Sequence, residues 1–147
     1  MIKNQDYDIA IIGGGMVGAS LALLLAQQKP NWQIALLEAQ PFSDANQHQF
    51  QPSFDSRSTA IAQGSVEILR DLGMWEKLAQ HATAISQVHV SDAGHFMGGL
   101  IDAHSYNLAA VGYVIPNAWI GRVLLAQLQT QTNIHYLAPV QIGRAHV

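Results

Sequence analysis

Cysteine is absent from the 147 residues. With it go disulfides, a thiolate metal site and a cysteine nucleophile, a pattern compatible with a reducing compartment. Charge is also scarce: 12% of the residues are Asp, Glu, Lys or Arg, and 7 basic residues against 10 acidic ones give a net charge of −3. No run of Lys or Arg is present, which argues against nucleic-acid binding. Long hydrophobic runs are missing too. The longest, Leu21 to Ala26, is far too short to span a bilayer, so membrane contact is expected to be peripheral. Met1-Ile2-Lys3-Asn4-Gln5-Asp6 has no signal-peptide pattern. The histidines form no H-x-x-x-H pair, and His89, His95 and His104 stand on separate segments without a matching carboxylate, so no metal site is expected. Acyl chemistry of the G-x-S-x-G type has no motif to rest on. What remains is a chain that is 49% hydrophobic, enough for one compact domain with a real core.

The informative stretch lies near the N-terminus. Asp8-Ile9-Ala10-Ile11-Ile12 is a short apolar run of the kind that forms a buried parallel strand, and it stops at Gly13-Gly14-Gly15-Met16-Val17-Gly18. The pattern is G-x-G-x-x-G. Gly13 permits the tight turn, Gly15 lets the backbone approach a diphosphate, and Gly18 lets the next helix pack close to the strand. A helix is predicted over Met16 to Gln28, with almost no polar face and therefore buried, and its N-terminal N–H groups suit a diphosphate. Lys29 and Pro30 supply a stop. Residues 33–37 then read as a second parallel strand ending in Glu38, whose carboxylate can accept hydrogen bonds from the hydroxyls of an adenosine ribose and would repel a 2′-phosphate. This is an α/β, Rossmann-like βαβ unit for a dinucleotide. The motif by itself does not choose between FAD and NAD.

Beyond it, residues 41–53 are polar and aperiodic, a loop by composition. Arg57 follows that loop and is read as opening a helix near the phosphate turn, where its planar fork could hold a diphosphate or ribityl hydroxyl; the alternative is a local ion pair with Asp55. Val66, Ile68, Leu69 and Leu72 form the apolar face of the next helix, which Gly73 caps before a shorter helix over 74–80. From Ile85 the period changes to that of a strand with one sheltered face, turning at Ser91-Asp92-Ala93-Gly94, and a second strand is read within Gly112-Tyr113-Val114-Ile115, the two belonging to a sheet outside the parallel one. Residues 102–110 read as weakly ordered. Asn117 is placed as cap of a helix over 118–130, whose core face carries Ile120, Leu124, Leu125 and Leu128. Residues 133–137 read as a strand returning to the parallel sheet. Arg122, one turn into that helix, reads as an ordinary solvated charge unless the cofactor reaches it.

Taken together, Gly13 to Gly18, Glu38 and Asp55-Ser56-Arg57-Ser58-Thr59-Ala60-Ile61-Ala62 resemble the flavoprotein aromatic-ring hydroxylases of the para-hydroxybenzoate hydroxylase type. The likeness continues through Gly64-Ser65, Leu72-Gly73-Met74-Trp75, Thr83-Ala84-Ile85, Val88 to His95, Gly112-Tyr113-Val114-Ile115 and the helix with Arg122. It is similar more narrowly to the ubiquinone-biosynthesis hydroxylases, of the 2-octaprenyl-6-methoxyphenol hydroxylase type. The resemblance implies FAD as cofactor, NAD(P)H as reductant, and O2 and a prenylated phenol as substrates. Gly13, Gly14, Gly15 and Gly18 would bind the FAD diphosphate, Glu38 the ribose, Arg57 the phosphate and ribityl region, and Arg122 the cofactor, the family having Arg or Gln there. No catalytic side chain is implied, because the cofactor carries the chemistry.

It further implies a cytoplasmic protein docking peripherally at the inner membrane, among other proteins of the ubiquinone pathway. Family members are more than twice this long, so residues 1–141 are expected to be the N-terminal part of an FAD-binding monooxygenase domain, with about 85–115 starting a second, substrate-side sheet. Ile142-Gly143-Arg144-Ala145-His146-Val147 departs from the family pattern and matches the translation of a common sequencing adapter, so the natural chain is expected to continue past Gln141. Two alternatives stand beside this reading: a non-catalytic FAD- or nucleotide-binding module, and another FAD/NAD(P)-linked oxidoreductase of the same superfamily.

Overall fold

A computed structural model describes residues 6–40, 56–91, 98–140 and 143. The loop at 41–53, the proposed ion-pair partner Asp55, most of the turn after Ser91, His95 and nearly all of the six-residue tail lie outside the described residues. The chain divides into two compact units, one formed by Met1–Asp55 with Ile120–Val147, the other by Ser56–Trp119. The fold is α/β, with a parallel sheet and separate antiparallel sheets.

In the first unit, β1 (Ile9–Ile12), α1 (Met16–Gln28) and β2 (Ile34–Leu37) make the expected βαβ unit, and β8 (Ile134–Leu137) joins as a third parallel strand. The strand order is β1-β2-β8, with Ile11, Leu36 and Tyr136 in register across the sheet. Because side chains alternate faces along a strand, Ile9, Ile11, Ile34, Leu36, Ile134 and Tyr136 share one side. α1 lies on that side: a Cβ built on Gly18 would touch Ile11 Cγ2 at 3.4 Å. The helix is not buried all round, as its composition suggests. Ala19, Ala22, Leu23 and Ala26 are buried, whereas Val17 is 82% and Leu21 44% exposed. Small residues sit where helix and sheet approach, so burial follows that seam and leaves Val17 and Leu21 on the outer face. Ile120, Val123, Leu124, Leu125 and Leu128 of α4 (Asn117–Leu128) are also buried, in the 3.6-residue rhythm expected of that helix.

The second unit centres on an antiparallel sheet of order β3-β7-β4, made of Ser58–Ala62, Gly112–Pro116 and Thr83–Ile85. Here the structure corrects one expectation. Arg57 does not open a helix; it precedes β3, whose Thr59 and Ile61 pair with Ile115 and Tyr113 of β7. The helix α2 (Gln63–Asp71) begins after the strand. Val66 is fully buried on α2, but Ile68 is 47% exposed and off the core face. Gly73 ends this segment as predicted: with φ +68° its N–H donates to the Arg70 carbonyl, and Met74 N–H donates to Leu69, the paired bonds of a Schellman motif. α3 (Trp75–Leu78) and a 3₁₀ turn follow. Trp75 and Leu78 are buried, Trp75 packing edge-on against Tyr113 at 4.8 Å.

β5 (Gln87–Ser91) pairs with β6 (Gly98–Asp102) as a two-stranded antiparallel ribbon. β5 was expected to shelter one face, yet all five of its residues are exposed. Residues 103–106 form a 3₁₀ turn inside the stretch expected to be weakly ordered, with Asp102 accepting from His104 N–H at 2.9 Å. α4 starts at Asn117, one residue early. The buried Asn117 accepts from the Thr59 hydroxyl at 2.6 Å, and its N–H donates to the Arg57 carbonyl at 2.9 Å.

Candidate dinucleotide-binding site

The site is the end of the parallel sheet where β1 runs into α1. Gly13 turns the chain with φ +99°, a conformation that residues with a Cβ rarely adopt. Its N–H donates to the Leu37 carbonyl at 2.8 Å, tying the turn to the end of β2. Gly18 is required for a different reason: a Cβ there would lie 1.8 Å from the Gly13 carbonyl oxygen. The first turn of the helix therefore sits directly on the loop that precedes it. Gly15 is the N-cap residue, in extended backbone, with no side chain capping the helix and no acidic residue in its first turn. Its carbonyl accepts from Ala19 N–H at 2.9 Å. The 13-residue helix thus begins without a side-chain cap from its N-cap residue, and the dipole favours an anion there.

Glu38 stands at the tip of β2. Its N–H donates to Leu137 at 2.9 Å and its carbonyl accepts from Val140 N–H at 2.8 Å, so backbone bonds anchor it on the β8 side. Its carboxylate returns to the turn: Oε2 accepts from Gly14 N–H at 2.7 Å and Oε1 from Gln40 N–H at 3.0 Å. The Gly14 N–H is thereby committed to Glu38 rather than offered to a phosphate. A carboxylate has about four lone-pair positions, so two remain for the vicinal hydroxyls of a ribose. These residues fit the ADP half of a dinucleotide: an uncapped helix start, a turn with room for no side chain at Gly18, and a held carboxylate twenty residues on.

One member of the cluster has no signal in the sequence motif. Tyr136, on β8, points its hydroxyl beneath the turn; that oxygen is buried, 2.8 Å from where a Cβ on Gly14 would be. Burial first, and the Glu38 charge second, push its pKa up to about 12. Only the strand register reveals it, because nothing local relates residue 136 to residue 14. The other two expected residues are placed differently. Arg122 is an exposed residue of α4 in the same unit as the turn. Arg57 is exposed and belongs to the second unit.

A strand–glycine turn–helix with an acid at the tip of the next strand defines a nucleotide-binding α/β protein. Comparison with known proteins narrows the class. Residues 8–136 match the family described as FAD dependent oxidoreductase, and the chain belongs to that family. It is similar to the 3-demethoxyubiquinol 3-hydroxylase of Escherichia coli, 30% identical over 151 residues that cover 99% of this chain and 36% of the relative. It is also similar to the mitochondrial ubiquinone biosynthesis monooxygenase COQ6 of Dictyostelium discoideum, 25% identical across 95% of this chain and 30% of the relative. Among solved structures, p-nitrophenol 4-monooxygenase PnpA of Pseudomonas putida shares the fold with a TM-score of 0.59 at 15% identity, covering 87% of this chain and 30% of that one. PqsL of Pseudomonas aeruginosa, solved with 2-aminobenzoylacetate, does so with a TM-score of 0.62 at 16% identity, covering 89% and 33%. The chain therefore spans about a third of the length of the relatives it matches.

Proposed function

We propose that this chain is the FAD-binding N-terminal part of a monooxygenase that hydroxylates the aromatic ring of a prenylated phenol in ubiquinone biosynthesis, using NAD(P)H and O2. The observation that carries the reading is the Glu38 carboxylate held 2.7 Å from Gly14 N–H at the mouth of an uncapped helix. Residues 1–141 form this part, and the β5–β6 ribbon begins the substrate-side sheet. The relatives that are ubiquinone-biosynthesis hydroxylases support the substrate class.

In this reading the chain's own residues bind and orient. Gly13 and Gly14 shape the turn, and the backbone from Gly15 to Gly18 receives the diphosphate against the helix dipole. Glu38 takes the adenosine ribose hydroxyls and opposes a 2′-phosphate by charge. Arg57 is the cation assigned to the phosphate and ribityl region, and Arg122 is assigned to the cofactor. FAD, reduced by NAD(P)H, supplies the oxygen chemistry, so no side chain of this chain is given a catalytic role. No helix among the described residues is long and apolar enough to cross a membrane; the protein is assigned to the cytoplasmic side, meeting its lipid-soluble substrate peripherally.

The test is the visible spectrum of the purified chain with added FAD, beside a version extended to the length of its relatives. A yellow extended form that oxidises NAD(P)H with a prenylated phenol supports the whole proposal. An extended form that takes up no flavin overturns it. A short form that holds FAD tightly alone would favour a self-sufficient nucleotide-binding module.

A further inference from the structure

The G-x-G-x-x-G pattern leaves the residue after its first glycine open, but this structure closes that position. A Cβ on Gly14 would lie 2.8 Å from the Tyr136 hydroxyl, 3.0 Å from Tyr136 Cε2 and 3.0 Å from Glu38 Cβ. Three segments distant in sequence therefore meet at one point: the turn after β1, the tip of β2 and the end of β8. Gly14 N–H holds the head of the Glu38 side chain at 2.7 Å, while the edge of the Tyr136 ring and the Glu38 stem converge on the same point, each 3.0 Å from where a Gly14 Cβ would be. A carboxylate on a short flexible stem would otherwise sample several rotamers, each presenting its oxygens differently.

We propose that Tyr136 is a positioning residue for ribose recognition: its ring fixes the Glu38 stem against Gly14, so that the carboxylate meets the ribose hydroxyls in one orientation. This deepens the dinucleotide reading above and rests on it. Two further observations agree with the role. The phenol stays neutral well past ordinary pH, since burial and the Glu38 charge both disfavour its anion, so it adds no negative charge beside a diphosphate. Parallel pairing on β2 also fixes its place, with Tyr136 opposite Leu36, two residues before Glu38. A side chain so supported serves a site better than one on a free loop.

The experiment is calorimetric titration of the 147-residue chain with ADP, 2′-deoxy-ADP and inorganic diphosphate. Wild type should prefer ADP over 2′-deoxy-ADP by roughly tenfold, as a charge-assisted hydrogen bond requires. Tyr136→Phe, which keeps the ring, should retain most of that preference. Tyr136→Leu should bring it to within about twofold while leaving diphosphate affinity within about twofold of wild type, because only the ribose contact is misaligned. Gly14→Ala approaches the same point from the other side and should also lose the preference. A wild-type ratio in Tyr136→Leu or in Gly14→Ala overturns the inference. So does a parallel loss of ADP and diphosphate in Tyr136→Leu, which would mark the ring as general support. Wild type that binds neither nucleotide, as this chain and when extended to the length of its relatives, overturns the dinucleotide reading and this inference with it, whereas nucleotide binding with an unmoved ratio overturns this one alone.

Discussion

Gly18→Ala adds one methyl group at the point where the first turn of α1 rests on the glycine turn. The new Cβ would fall 1.8 Å from the Gly13 carbonyl oxygen and 3.1 Å from its carbon, both backbone atoms that no rotamer change can move aside. To restore ordinary contact, helix and turn must part by roughly 1.5 Å in a region packed like a crystal. In an open helix the same substitution would stabilise by about 1 kcal/mol through backbone entropy. Overpacking against fixed atoms costs about 3 kcal/mol or more, so the net loss is at least about 2 kcal/mol. At 2–4 °C per kcal/mol for a chain of this size, the melting temperature should fall by about 4–8 °C. Gly64→Ala is the internal control: that glycine lies in α2, and its added Cβ meets nothing within 4 Å. It should leave stability unchanged or raise it slightly. The assay is thermal melting by circular dichroism together with ADP titration, which should show nucleotide affinity lost in Gly18→Ala and kept in Gly64→Ala. A Gly18→Ala chain that melts no lower than wild type and binds ADP equally well would refute the close-approach argument.

Other perturbations test neighbouring claims. Glu38→Gln removes the charge while leaving an oxygen able to accept from Gly14; ADP affinity should fall roughly tenfold and discrimination against a 2′-phosphate should relax, both read by calorimetry. Gly73→Ala places a Cβ at φ +68° in the Schellman turn after α2 and should destabilise by about 1 kcal/mol in denaturant titration. Tyr136 ionises late, its pKa having been raised from 10.0 to about 12. The folded state therefore holds a proton that the unfolded state has lost across that interval, so the contribution is complete below pH 10 and declines as pH rises towards 12. Phenolate absorbance should show a late-titrating component, and Tyr136→Phe should abolish that component and flatten the alkaline fall in stability.

The parts of the fold that the sequence announces are those whose causes are local. A strand that stops at glycines, a helix that follows at once and a second strand ending in an acid span residues 9–38, and their order alone specifies how they pack. The Gly73 stop is equally local, since a left-handed residue must end the helix there. Misreadings arise where the partner is remote. Ser58–Ala62 has small residues and only modest β-preference, and it becomes a strand because Gly112–Pro116, some fifty residues later, supplies its hydrogen bonds. Gly98–Asp102 escapes notice because its two glycines carry no period, and only pairing with Gln87–Ser91 makes it extended. Sheltering of β5 is a property of whatever covers it rather than of its own alternation, so the pattern Val88, Val90 could not reveal that these residues stand 37% and 53% exposed.

The candidate site shows the same division in miniature, and it bears on how binding works. The motif specifies a turn that tolerates a diphosphate, yet a turn of glycines is also the most flexible backbone available, and flexibility weakens binding through the entropy of ordering. The structure resolves this conflict with contacts from outside the motif. Gly13 is tied to Leu37, Gly14 to Glu38, and Glu38 to Leu137 and Val140, so the first two glycines are fastened to the neighbouring strands. Tyr136 fills the space left where Gly14 has no side chain. The ordering cost is thus met during folding rather than at the moment of binding, which is the condition for a glycine-rich loop to hold its ligand tightly. In the proposed site residue 136 therefore counts as fully as residue 14, although only the parallel pairing of β8 with β2 connects them.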